Sequence, residues 1–218
     1  MIERTMMALA AAGLASLAAV PAWAAKEVPL RADPASCELH VFPSQGAAVV
    51  DATKSPMDLG LAGNAISGLF AIKDPAQIQV FMATAVPLQD QLETMRAVDY
   101  AATRKGAGQT VIVHDLPIAD IGLYDFKTAH RKTASTATCY SELILSGFYY
   151  EKSTMSKSIK LSYFYRVFDA GEAPKLAVLN GAGTSISNFP PKDAAEAERS
   201  KADLANVFRS DFLAILNK

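Results

Sequence analysis

The chain has 218 residues, with 21 Lys+Arg against 22 Asp+Glu and a formal net charge of −1. Half of its residues are hydrophobic and 20% are charged. That balance excludes a disordered tail, a collagen-like rod and a nucleic-acid binder working by bulk positive charge, and it leaves a globular protein.

Residues 1–24 read as a secretory signal peptide. Arg4 supplies a positive charge near the start, although Glu3 weakens it. Residues 6–20 are uncharged and rich in Ala and Leu. Pro21 ends the run, and Ala22-Trp23-Ala24 has the small-x-small form of a cleavage site. The run is shorter than the about 20 residues a membrane-spanning helix needs. No cysteine lies close enough after it to take a lipid. Removal leaves residues 25–218, a single α+β domain with an extended leader over 25–36, no stable membrane span and no Trp. The expected destination is outside the cytosol, the periplasm if the source is Gram-negative.

Cys37 and Cys139 are the only cysteines. In an oxidising compartment such a pair is most simply a disulfide. Closing a loop of about 100 residues stabilises by up to about 4.7 kcal/mol in the chain-entropy model. The separation excludes a C-x-x-C redox site.

Residues 37–42 (CELHVF) alternate weakly and stop at Pro43, which predicts a short strand that 47–50 extends after a turn. Residues 57–72 (MDLGLAGNAISGLFAI) carry one charge, Asp58, and place Gly60, Asn64 and Gly68 four apart. They read as a close-packed buried segment, a membrane or partner contact, or the lining of a pocket for a lipophilic ligand. Asp74-Pro75 is a helix start, so 76–85 is expected to be helical, with Pro87 ending the run. A second helix is expected over 88–97. Residues 103–109 (TRKGAGQ) form a basic turn before a strand over 110–116, stopped by Pro117.

Residues 142–151 and 157–169 read as two long strands of a hairpin. In the second, Ile159, Leu161, Tyr163, Tyr165 and Val167 share one face; Lys160, Ser162, Phe164, Arg166 and Phe168 share the other. A third strand is expected over 175–179. Asp193 and Glu196 then stand at capping-box spacing before a helical stripe of Leu204, Val207, Phe208, Phe212, Ile215 and Leu216. The predicted fold class is α+β: an antiparallel β-meander packed against helices, including an amphipathic C-terminal helix. A meander with a terminal helix resembles, in architecture, the small periplasmic domains of envelope-assembly factors; architecture does not carry function.

Catalytic motifs are sparse. Asn180–Ser185 (NGAGTS) has G-x-G, but Ile186 stands where a dinucleotide loop needs its third glycine, so a polar turn is expected. There is no G-x-S-x-G elbow, and no cofactor is expected. The metal-capable side chains gather in one stretch: His114, Asp115, Asp120, Asp125 and His130. The alternating face Lys160, Phe164, Arg166 and Phe168 reads either as core or as a binding surface. The leading expectation is a non-catalytic exported protein that binds another envelope component through a sheet edge or this aromatic-basic face. The alternatives are a hydrolase or metal-dependent enzyme using His114–His130, and a carrier of a small lipophilic ligand.

Overall fold

The computed structural model describes residues 37–51, 74–118, 130–152, 157–169, 173–187 and 189–218, all within the unit formed by residues 32–218. The signal-like segment and the apolar 57–72 segment lie outside the described residues.

The strands are β1 (Cys37–Phe42), β2 (Ala47–Asp51), β3 (Gln109–Val113), β4 (Cys139–Lys152), β5 (Lys157–Phe168) and β6 (Leu176–Thr184). The helices are α1 (Pro75–Ala85), α2 (Leu88–Arg96) and α3 (Ala194–Asn217). Their ends follow local chemistry. The Asp74 carboxylate accepts from the Ala76 N–H at 3.0 Å with Pro75 at the first helical position. At α3, Asp193 accepts from the Glu196 N–H at 2.8 Å, and the Glu196 carboxylate reaches back to the Lys192 N–H at 2.8 Å.

The fold is α+β, and β4–β5–β6 is an antiparallel meander. The sheet as a whole is mixed, which corrects the purely antiparallel expectation. Its order is β3-β1-β4-β5-β6, with β2 also paired to β4. β1 runs parallel to both β3 and β4, and β2 runs parallel to β4. The long β4 has room for both short strands: Cys37–Phe42 pairs with its first half and Ala47–Asp51 with its second. Residues 43–46 interrupt that line of chain, where Gly46 has φ +158°. Alternation reports which face a side chain takes, not which way the neighbouring strand runs.

Two further differences matter. β3 stops at Val113, but the ladder continues one bond as the His114 N–H donates to the Val41 carbonyl at 2.9 Å. β6 continues through Asn180–Thr184, expected as a turn. Gly181 and Gly183 lie against β5 there, and a Cβ would meet the Leu161 carbonyl at 3.2 Å and the Lys160 Cγ at 3.0 Å. Close strand approach, rather than positive φ, explains these glycines.

One face of the sheet is apolar. Leu39, Val41, Leu143, Leu145, Phe148 and Leu161 pack against Ile78 and Met82 of α1 and Leu204, Phe208, Phe212 and Ile215 of α3. Cys37 and Cys139, register partners at the start of β1 and β4, form a disulfide with Cα atoms 4.5 Å apart.

Candidate functional site

The opposite face of the sheet assembles three cross-strand rungs from β1, β4 and β5. Glu38 stands beside Tyr140 and Phe168, His40 beside Glu142 and Arg166, and Phe42 beside Ile144 and Phe164. All nine side chains are buried. A polar rung thus lies between aromatic and apolar ones. Residues 130–138 cross it: the Lys132 N–H donates to Glu142 at 2.5 Å, and the Arg131 guanidinium lies 4.8 Å from the Tyr140 ring centroid. Arg131 also donates to the carbonyls of Ala137 at 2.8 Å and Asp169 at 2.7 Å.

Two hydrogen-bonded chains run through this layer. In the first, Ser135 donates to the Glu38 carboxylate, which also accepts from His40 Nε2 at 3.0 Å. His40 Nδ1 then meets His114 Nε2 at 2.9 Å. A carboxylate only accepts, so His40 carries its proton on Nε2. For neutral rings, His114 therefore donates from Nε2. Burial would raise the Glu38 carboxyl, but hydrogen bonds from Ser135 and His40 outweigh it and hold the group below its ordinary value. Burial pulls His40 down against its Glu38 partner. His114 is pushed down to about 4 by burial and by His40. It stacks on Phe42 at 4.1 Å between ring centroids.

In the second chain, Glu142 Oε2 accepts from Arg166 Nε at 2.9 Å and from Arg166 Nη2. Its Oε1 accepts from the Tyr140 hydroxyl at 2.7 Å. Burial, then the Glu142 charge, raises the Tyr140 phenol. These bonds tie β1, β4, β5 and the 130–138 segment into one register. Ser135 points its hydroxyl at a carboxylate rather than an imidazole, which is not the nucleophile–base geometry of covalent hydrolysis. At about 4, His114 is a weak base for neutral-pH proton transfer.

The structure divides the residues singled out from sequence between the interior and the surface. Phe164, Arg166 and Phe168 are interior, in the rungs just described. Lys160 reaches the surface and pairs with Glu151. His114 turns inward while its neighbour Asp115 is exposed and pairs with Arg96. His130 is exposed, and its carbonyl accepts from Arg166 at 3.3 Å. Asp120 and Asp125 lie outside the described residues. Among the described residues no three His, Cys, Asp or Glu side chains gather as a metal set. The sequence reading missed Glu38, His40, Arg131, Ser135 and Glu142. The available signal was Glu-x-His-x-Phe in β1 against Tyr-x-Glu-x-Ile in β4, a polar alternation that gains meaning only once the strands are neighbours.

The two ends of the sheet also differ. β3 is five residues long. β6 has nine residues, none charged, and pairs with β5 as its single strand partner among the described residues. Leu176 and Leu179 on it are 46% and 44% exposed.

No protein-family model and no curated protein matches the chain. Among solved structures it is similar to the hypothetical protein CT253 from Chlamydia trachomatis, at 12% identity and a TM-score of 0.30, covering 83% of this chain and 96% of that one. It is also similar to an uncharacterised protein at 11% identity and a TM-score of 0.29, covering 84% of this chain and 91% of that one. Lipoprotein GNA1162 from Neisseria meningitidis matches at 10% identity and a TM-score of 0.23, covering 78% of this chain and 96% of that one. Overlaps this loose carry no argument about function, so the site's own residues must.

Proposed function

We propose that this chain is an exported, non-catalytic protein that binds another component of the cell envelope through the edge of β6. One observation carries the reading: an uncharged edge strand of nine residues that exposes two leucines. Such an edge offers a row of main-chain donors and acceptors to an extended segment of another protein. Its middle is capped at Gly181, whose N–H donates to the Asn180 side chain and whose carbonyl accepts from Lys218, so the pairing segment in this reading is Leu176–Leu179. Export is supported by the signal-like residues 1–24 and by the Cys37–Cys139 disulfide. The buried rungs act in this reading as a lock that holds β4 and β5 in place beneath the edge.

The test is positional photo-crosslinking in intact cells. A photoreactive side chain at position 179 is expected to give a discrete adduct with an envelope protein, and one at the exposed Gln89 on α2 is expected to give none. Absence of an adduct at 179, or the same adducts at both positions, overturns the proposal.

A further inference from the structure

On the helix-bearing face of the sheet, beneath the end of α3, lies a cavity of about 360 Å³. Tyr163 and Tyr165 of β5 and Val178 of β6 line it, together with Arg104, Lys105 and Lys218. None of its lining side chains is acidic. The basic turn at 103–109, read from sequence only as a connection, supplies two of these three cations.

Lys105 is the unusual one. It is only 9% exposed, although lysine is almost never buried without a charged partner. Its ammonium donates to the Ile215 carbonyl at 2.6 Å and sits 5.2 and 5.7 Å from the ring centroids of Tyr165 and Tyr163. Neutral carbonyls and ring faces thus hold a charge that no carboxylate side chain meets. Burial, then Arg104, then Lys218 all push Lys105 below its ordinary value. Arg104 donates to a main-chain oxygen of Lys218 at 3.1 Å, and Lys218 Nζ donates to the Gly181 carbonyl. Asp211, on α3 outside the lining, has its Oδ1 bonded to the Thr184 hydroxyl at 3.0 Å and, among the described residues, no hydrogen-bond partner on Oδ2; burial pushes its carboxyl above the ordinary value despite Thr184 and Lys218. Arg104 and Lys218 are exposed and each already donates to a main-chain oxygen, but no acidic side chain lines the cavity, and an anion placed there meets all three cations at once.

We propose that this cavity binds an amphiphilic organic phosphate, its phosphate held among Arg104, Lys105 and Lys218 and its apolar part laid along Val178 and the exposed Leu176. Three cations match a group carrying about −1.5 to −2 charge better than a single carboxylate. The phosphate can belong to a membrane lipid headgroup or to a soluble organophosphate. The site goes beyond the edge reading and is tested separately: adducts at position 179 report on the edge, whereas calorimetry reports on the cavity.

The experiment is isothermal titration of the full chain with phenyl phosphate, inorganic phosphate, benzoate and phenol. It is paired with co-sedimentation on phosphatidylcholine vesicles with and without phosphatidylglycerol. Phenyl phosphate is expected to bind one to one, more tightly than inorganic phosphate or benzoate, with no signal from phenol. The exposed double variant Arg104→Gln/Lys218→Gln is expected to weaken phenyl phosphate by at least about tenfold, and Lys105→Met by as much or more. If Lys105→Met fails to fold, the double variant decides. Additional sedimentation with phosphatidylglycerol, lost in the double variant, assigns the site to a lipid headgroup; phenyl phosphate binding without it assigns a soluble phosphate. Three results overturn the proposal: no binding of either probe, equal binding by the double variant, or benzoate or inorganic phosphate binding as tightly as phenyl phosphate.

Discussion

The two faces of the sheet are both buried, yet they are closed by different means. The apolar face is sealed by α1 and α3, whose stripes of Ile, Met, Leu and Phe fit against β1, β4 and β5. The other is sealed partly by residues 130–138, and its middle rung is ionic: His40, Glu142 and Arg166. Apolar packing tolerates many partners of roughly the right volume. A buried carboxylate–guanidinium pair tolerates one geometry, because a shifted register leaves a charge without its partner. The apolar face therefore supplies most of the burial energy, while the polar face discriminates between registers.

The largest effect should come from breaking the polar face on one side only. Arg166→Met leaves the Glu142 carboxylate without its guanidinium, and unfolding in urea should show a loss of about 3–5 kcal/mol. The double variant Arg166→Met/Glu142→Leu should recover much of that loss. A single variant within about 1 kcal/mol of the parent would refute the locking role. On the apolar face, Leu161→Ala, at a fully buried position, should cost about 2–5 kcal/mol. A second truncation at a neighbour there should add to the loss rather than reverse it. That contrast between rescue and addition is the sharpest form of the comparison.

Acid should probe the polar face selectively. His114 is held at about 4, below the ordinary value of 6.5. The unfolded chain therefore takes up the proton first, and stability must fall as pH drops below 6.5 towards 4. His40 shifts the same way. Glu38 is ionised in both states above its ordinary 4.5, so it adds nothing in the upper part of this window. Urea midpoints should show a loss of about 2 kcal/mol between about pH 7 and pH 5. His114→Gln, which keeps an amide donor for His40, should flatten that slope; an unchanged slope would count against the assignment. The smallest effect belongs to the edge. Leu176→Asp should change stability by no more than about 0.5 kcal/mol, because Leu176 is 46% exposed, while abolishing the adduct from a photoreactive side chain at 179.

Much of the fold was legible in particular residues. Asp74-Pro75 marked the start of α1, Asp193 and Glu196 marked that of α3, and the alternation from Lys157 onward marked both faces of β5. These are local signals, set by backbone hydrogen bonds and side-chain period. The candidate sites were less legible. Phe164, Arg166 and Phe168 stand on one face, as their spacing requires, but their covering segment begins some 30 residues earlier in the chain. Glu38 and His40 carried no signal until His114, Ser135 and β4 came beside them. The cavity escaped notice because its cations come from a turn and a helix end more than 100 residues apart.

The order of residues alone determined the three helices and most of the strands, which side chains share a face, and which two thiols can meet in an oxidising compartment, but not that β6 runs on through Asn180–Thr184. Tertiary structure alone decided that β1 and β2 run parallel to β4, that an ionic rung closes over Arg166, and that Lys105 faces Tyr163 and Tyr165. Period and capping depend on neighbours a few residues away, whereas strand direction, desolvation and the meeting of charges depend on contacts that only the folded chain makes.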